Sequence, residues 1–174
     1  MPGVPLNQAG LREAERLAAR FAQSPVVAVV ASPLQRAQQT AFPIAAALGL
    51  PLHAEPGFDE IDFGTWTGRR FEDLQADPAL SAWNRLRTLA ACPEGETMHH
   101  AQSRALAALS HWRRAYPDQE VVIVSHADVL KALLAPALGL SLDRLYRLTI
   151  DPASISTLVV FDEDLRIDRI NAPA

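Results

Sequence analysis

Short uninterrupted apolar runs alternate along the chain with longer segments in which apolar residues recur every three or four positions. Val26–Ala31 and residues 121–125 are valine-rich runs, typical of parallel strands that are buried on both faces. Helical spacing predicts helices over residues 11–21 and 98–116, and one after each valine-rich run. Strands that alternate with helices predict an α/β fold, a three-layer α/β/α sandwich around a mostly parallel sheet.

The remaining pattern predicts shorter elements. Residues 51–68 form a loop-rich segment, and short helices are expected over residues 71–75, 79–89 and 142–147. Two further strands, 156–161 and 165–170, are joined by a turn at residues 162–164. In the helix after the first run, Ser32 is predicted as the N-cap and Pro33 as the first helical residue, and Gly49 is predicted to end it.

Composition narrows the function classes. The 174 residues are 49% hydrophobic, which predicts a single domain spanning residues 1–174 with a substantial core. The net charge of −4 argues against nucleic acid as a partner. No apolar run is long enough for a membrane span and no signal peptide is evident, so we expect a cytoplasmic protein without a membrane partner. The single cysteine, Cys92, excludes an intrachain disulfide and a cysteine metal cluster.

Two strand-to-helix junctions carry candidate anion ligands. Arg36 follows the first run by one helical turn, and His126 directly follows the second run. Ligands in parallel α/β sheets bind at the carboxyl ends of the strands, and helix N-termini and guanidinium groups favour phosphate. Each residue also has an ordinary interpretation: Arg36 as a solvated helix arginine, and His126 as a histidine that satisfies a helix cap or a carbonyl.

The loop segment EIDFGTWTG offers a candidate general acid. Glu60 and Asp62 alternate there with Ile61 and Phe63, so one of the two carboxyl groups is expected to lie against apolar neighbours, which can raise its pKa towards the range of a general acid. The alternative is a loop acid that caps a turn. The other histidines lack the spacing of metal ligands, so no metal and no cofactor is predicted.

Five segments together resemble the histidine phosphatase superfamily, also called the phosphoglycerate mutase-like family. The segments are PLNQAG, SPLQRAQQTA, EIDFGTWTG, PEGET and VVIVSHADVLKALL, and they stand in the family's order over nearly the whole chain. The resemblance implies that Arg36 binds the phosphoryl group and that His126 is the second histidine of the phosphate pocket. It implies that Glu60 protonates the leaving oxygen and then activates water.

The sequence departs from the family pattern in one respect. The family's attacking histidine lies in an Arg-His-Gly motif after the first strand, and the sequence contains no such motif. We therefore expect that the first central strand is missing, that the chain is truncated at its N-terminus relative to the family, and that it is inactive as it stands.

The resemblance implies a phosphatase that hydrolyses a small phosphomonoester through a phosphohistidine in its full-length form. One alternative is a pseudophosphatase that binds phosphorylated ligands without turnover, and another is a phosphoglycerate mutase. The identity of the phosphorylated substrate is not predicted. The oligomeric state is open, with a homodimer as the candidate assembly.

Overall fold

The computed structural model describes residues 3–162 and 164–174. Its helices are α1 (Gln8–Phe21), α2 (Gln35–Leu48), α3 (Phe71–Leu74), α4 (Pro78–Arg85), α5 (Met98–Ala115) and α6 (Ala127–Leu134). Its strands are β1 (Val26–Ala31), β2 (Leu52–Ala54), β3 (Glu120–Val124), β4 (Ile155–Val160) and β5 (Leu165–Ala172). Single-turn and two-turn 3₁₀ helices occupy Pro56–Phe58, Gly64–Trp66 and Leu142–Arg147.

The central sheet has the strand order β2-β1-β3, and both pairings are parallel. β1 is the innermost strand, and four of its residues have no exposed surface: Ala28, Val29, Val30 and Ala31. β4 and β5 form a separate antiparallel hairpin. The predicted α/β fold around a parallel sheet is confirmed, and β1 has the predicted bounds.

Helices cover both faces of the sheet. Val29 and Ala31 belong to one apolar cluster with buried residues of α1 and α2. Val30, whose side chain points to the opposite face, packs with residues of α5 and α6. β1 is therefore enclosed between two helical layers, which explains why it is an unbroken apolar run rather than an alternating one.

The start of α2 differs from the prediction. Leu34 is the N-cap, and neither Ser32 nor Pro33 is helical. The Ser32 hydroxyl accepts a hydrogen bond from the Leu34 N–H at 3.2 Å, so it closes a turn ahead of the helix. Gly49 ends α2 as predicted, in the left-handed conformation with φ of 66°. The helix continues through Pro43.

Two other predictions need correction. The segment predicted as loop, residues 51–68, contains β2, which pairs with β1 through only three residues. β4 begins at Ile155 and β5 extends to Ala172, so each boundary is displaced from the prediction. The predicted turn at residues 162–164 includes Glu163, which lies outside the described residues.

Within the described residues, β3 is paired along one edge, with β1. Its register with β1 runs to the pair Ala31 and Val124, and no strand among the described residues pairs with its other edge. The apolar side chains of β3 are half-buried, whereas those of β1 are almost fully buried. The expectation of a further central strand stays a prediction. No helix in the described part of the chain has the length and apolar character needed to cross a membrane.

Candidate functional site

The carboxyl ends of β1 and β3 bring three chain segments together. β1 leads into Ser32 and then α2, and β3 leads into Ser125 and His126 at the start of α6. The two junctions are joined by a hydrogen bond from the Ser32 N–H to the Val124 carbonyl at 3.0 Å. The loop that follows the Pro56–Phe58 helix passes over this edge, held by a 2.8 Å hydrogen bond from the Ser125 hydroxyl to the Phe58 carbonyl.

Arg36, Glu60 and His126 meet at this edge. The Arg36 Nη2 atom is 4.0 Å from Glu60 Oε2, and the His126 Nδ1 atom is 3.9 Å from the same oxygen. One carboxylate oxygen thus lies between a guanidinium group and an imidazole ring. The structure places together the three residues that the sequence singled out, although they are separated by up to 90 positions in the chain.

Glu60 occupies a setting that favours its protonated form. Burial raises its pKa above the ordinary value, and the negative charge of Asp128 acts in the same direction. A hydrogen bond from the Ile61 N–H and the positive charge of Arg36 oppose this shift. Beside Glu60 is a small cavity of about 220 Å³ that is lined by Leu34, Asp59, Glu60, Ile61, Asp62, Phe63 and Thr67. A carboxyl group that holds its proton beside a cavity is suited to donate it.

His126 is neutral in this setting. Its side chain is almost completely buried, and burial together with the charges of Arg36 and Arg104 lowers its pKa to about 3. A protonated histidine can donate from both ring nitrogens, whereas the neutral ring has only one N–H group to donate.

The neutral state of His126 predicts a loss of stability in mild acid. The unfolded chain binds this proton near pH 6.5 and the folded protein only near pH 3. The contribution of the neutral ring is therefore complete above pH 6.5 and is lost as the pH falls towards 3. Each pH unit below 6.5 corresponds to about 1.4 kcal/mol, so about 2 kcal/mol is lost by pH 5.

Urea unfolding at pH 7 and pH 5 measures this loss. His126→Gln removes the titrating ring and is expected to be less sensitive to acid than the wild type, whereas His99→Gln replaces an exposed ring and serves as the control. Equal acid sensitivity in the wild type and His126→Gln would contradict the buried neutral ring. The raised pKa of Glu60 changes the stability in the opposite direction, because it favours the folded state at low pH. Glu60 is present in all three proteins, so it does not distinguish them.

An arginine from α5 holds the loop that carries Glu60. Arg104 donates to the Gly57 carbonyl at 2.9 Å and to the Glu60 carbonyl at 3.2 Å. It also forms an ion pair with Glu96 at 2.6 Å, and the same Glu96 oxygen accepts the Asp62 N–H at 3.0 Å. The sequence analysis missed both residues. The sequence offered one weak indication of the role of Arg104. This residue lies next to the buried stripe of α5, where a solvated side chain is not expected.

The sequence analysis also missed the roles of Ser32 and Asp59. The Ser32 hydroxyl is 2.6 Å from Asp59 Oδ1 and 2.9 Å from His126 Nε2. Ser32 has no exposed surface, so its hydroxyl belongs to the site rather than to solvent. These partners are 27 and 94 positions away in the chain, which is why local pattern suggested only a helix cap.

The other histidines lie away from this group. His53 and His111 pack against the Trp112 ring, with centroid separations of 5.1 and 5.7 Å. His99 and His100 are exposed in the first turn of α5. Within residues 3–162 and 164–174, no three histidine, cysteine or acidic side chains are arranged to hold a metal ion.

A comparison with protein families gives a match over nearly the whole chain. The model for the histidine phosphatase superfamily (branch 1) matches residues 1–173. The chain belongs to this superfamily. The family resemblance expected from the five sequence segments is therefore confirmed.

Relatives of this histidine phosphatase superfamily member include longer proteins. It is 36% identical over 153 residues to the bifunctional protein Rv2228c of Mycobacterium tuberculosis, a match that covers 87% of this chain and 42% of that protein. The chain thus spans less than half of that relative. It is 31% identical over 156 residues to a probable phosphoglycerate mutase, GpmB, of Yersinia pestis, covering 87% of this chain and 72% of the relative.

Solved structures share the fold over the full chain. Bacillus stearothermophilus YhfR superposes with a TM-score of 0.92 at 27% identity, covering 100% of this chain and 89% of YhfR. The alpha-ribazole phosphatase of Shigella flexneri gives a TM-score of 0.86 at 26% identity, with coverages of 99% and 86%. The mycobacterial glucosyl-3-phosphoglycerate phosphatase Rv2419c with inorganic phosphate gives 0.86 at 26% identity, with coverages of 99% and 91%.

Proposed function

We propose that Arg36, Glu60 and His126 form the phosphate pocket of a phosphatase that acts on a small phosphomonoester. The observation that carries this proposal is the approach of Arg36 and His126 to one oxygen of Glu60, at 4.0 and 3.9 Å, where two parallel strands end. An arginine holds phosphate oxygens through paired N–H groups, and a histidine adds a further donor. The phosphatases among the structural relatives support this substrate class.

Glu60 takes the proton-transfer role in this proposal. In the first step, a histidine nitrogen attacks phosphorus, the bond from phosphorus to the leaving oxygen breaks, and protonated Glu60 gives its proton to that oxygen. In the second step, the Glu60 carboxylate removes a proton from water, which attacks phosphorus and releases the histidine. The raised pKa of Glu60 supports the first of these roles, because it keeps the acid protonated closer to neutral pH.

The attacking histidine of this mechanism is not found in the 174 residues. The sequence contains no Arg-His-Gly motif, and the four histidines other than His126 are packed against Trp112 or exposed on α5. Hydrolysis therefore needs a histidine from residues outside this sequence. For the 174 residues alone, we propose phosphate binding without turnover.

Two alternatives use the same pocket. A pseudophosphatase would bind phosphorylated ligands as its only function, and the lack of an attacking histidine among these residues favours it. A phosphoglycerate mutase is favoured by the similarity to the probable phosphoglycerate mutase of Yersinia pestis. A mutase must exclude water from its intermediate. The segment between Gly68 and Glu94 offers only α3 and α4, of four and eight residues, as a cover.

Calorimetric titration with inorganic phosphate and a hydrolysis assay with p-nitrophenyl phosphate test the proposal. We expect the 174-residue protein to bind one phosphate and to release no p-nitrophenol above the uncatalysed rate. Failure to bind phosphate at millimolar concentration would overturn the pocket. Hydrolysis that His126→Gln abolishes would overturn the need for an outside histidine.

A further inference from the structure

A chain of three hydrogen-bonding groups runs from Asp59 through Ser32 to His126. Asp59 Oδ1 is 2.6 Å from the Ser32 hydroxyl, which is 2.9 Å from His126 Nε2. The hydroxyl also accepts the Leu34 N–H at 3.2 Å. Both Ser32 and His126 are buried, with 0% and 6% of their surface exposed, so their shared hydrogen bond is shielded from water.

With Asp59 as a carboxylate, only one placement of the protons satisfies these hydrogen bonds. A carboxylate can only accept a hydrogen bond, so the single proton of the Ser32 hydroxyl is directed to Asp59. The oxygen of Ser32 then acts as an acceptor for its other two neighbours. One is the Leu34 N–H, and the other has to be an N–H at Nε2 of His126. In the neutral ring, Nδ1 consequently carries no proton, and this is the atom that lies 3.9 Å from Glu60 Oε2.

We propose that Asp59 is a positioning residue that acts through Ser32 to hold the proton of neutral His126 on Nε2. Nδ1 then turns its lone pair to the phosphate pocket. Glu60 Oε2 lies beside Nδ1, and the positive charges of Arg36 and Arg104 act on the ring, whereas the hydrogen-bond partner of Nε2 is Ser32.

This inference rests on the proposed function in one respect, because the proposed phosphate pocket is what the lone pair of Nδ1 acts on. When dihydrogen phosphate enters the pocket, its proton can pass to Nδ1, which leaves hydrogen phosphate beside an imidazolium ring. Nδ1–H then donates to the anion that supplied the proton. Through Ser32, the negative charge of Asp59 stabilises the positive ring on its far side. Asp59 directly precedes Glu60, the proposed proton donor.

Nitrogen-15 NMR of the histidine rings measures the proton position without any ligand. The His126 signals are those that disappear in His126→Gln. The couplings between the two ring nitrogens and the carbon-bound ring protons then show which nitrogen is protonated. We expect an N–H on Nε2 that exchanges slowly with water. Asp59→Ala is expected to make this exchange roughly tenfold faster, because the hydroxyl loses its charged acceptor. Asp59→Asn retains a carbonyl acceptor and should restore slow exchange.

Asp62→Ala is the matched control. It removes a carboxylate of the same loop that accepts a hydrogen bond from the Gly64 N–H, so the His126 exchange should be unchanged. A proton on Nδ1 in the wild type would overturn the inference, whether or not any variant folds. Exchange in folded Asp59→Ala that equals the wild-type rate would also overturn it. Titration with inorganic phosphate is a separate arm: if no second N–H forms on Nδ1, the proposed phosphate role of His126 fails while the positioning role of Asp59 stands.

Discussion

Replacing Arg36 with alanine is expected to weaken the binding of inorganic phosphate by about 10- to 100-fold. Hydrogen bonds to charged groups contribute about 1.5–3 kcal/mol, and each 1.4 kcal/mol is a factor of ten in affinity. Arg36 is three-quarters buried at the edge where β1 and β3 end, so solvent screening reduces this contribution less than at an exposed site. Calorimetric titration of the wild type and Arg36→Ala at the same ionic strength gives the ratio directly.

Two further variants separate geometry from charge. Arg36→Lys retains the positive charge without the planar fork of donors, so it should bind phosphate more weakly than the wild type and more tightly than Arg36→Ala. Arg114→Ala removes an exposed arginine at the end of α5 and should leave the affinity unchanged. Wild-type affinity in Arg36→Ala would remove the basis for a phosphate pocket at this position.

The variant Gly64→Ala is expected to lower the free energy of unfolding by about 2–5 kcal/mol. Gly64 has a φ of 52°, which costs an alanine about 1–2 kcal/mol. An added Cβ atom would also lie 2.0 Å from the Pro93 carbonyl oxygen and 2.6 Å from the Gly95 nitrogen. Both are backbone atoms and cannot rotate away, so overpacking adds about 1–3 kcal/mol. Urea unfolding followed by circular dichroism measures the sum.

Gly49→Ala isolates the conformational cost. Gly49 has a similar φ of 66°, but nothing lies within 4 Å of an added Cβ atom. Its loss of stability should therefore be limited to about 1–2 kcal/mol. Equal losses in the two variants would mean that the contact between the Gly64 and Pro93–Gly95 segments is not tight. This contact matters for the site because the same two segments carry Asp62 and Glu96, which are joined by the hydrogen bond beside Arg104.

The sequence predicted the elements whose pattern is long or strongly apolar. β1 is an uninterrupted run of six apolar residues and was predicted to the residue, and α5 differs by one residue at its end. β2 was missed because three residues, Leu52–Ala54, carry no periodicity of their own. They form a strand because they pair with β1, and such a contact is determined by the tertiary fold rather than by neighbours in the chain.

The same distinction applies to the site. Arg36, Glu60 and His126 could be singled out because each stands in a recognisable segment next to a predicted element. Ser32 was predicted as a helix cap, because the local pattern of serine before proline and a helix is typical of one. Its actual partners, Asp59 and His126, are distant in the chain. Arg104 was missed for the same reason, since the carbonyl groups to which it donates are more than 40 residues away.

The one-sided pairing of β3 has a consequence for the motions of the site. Successive residues of a strand direct their N–H groups to opposite edges, so only alternate amides of β3 point towards β1. Amide hydrogen exchange in the chain as described would therefore divide β3 into slow and fast positions, while residues 29–31 of β1, which are paired along both edges, exchange slowly. A strand held along one edge opens locally at a lower free energy than a strand held along both. Since β3 leads directly into Ser125 and His126, each such opening displaces the histidine from the Ser32 hydroxyl.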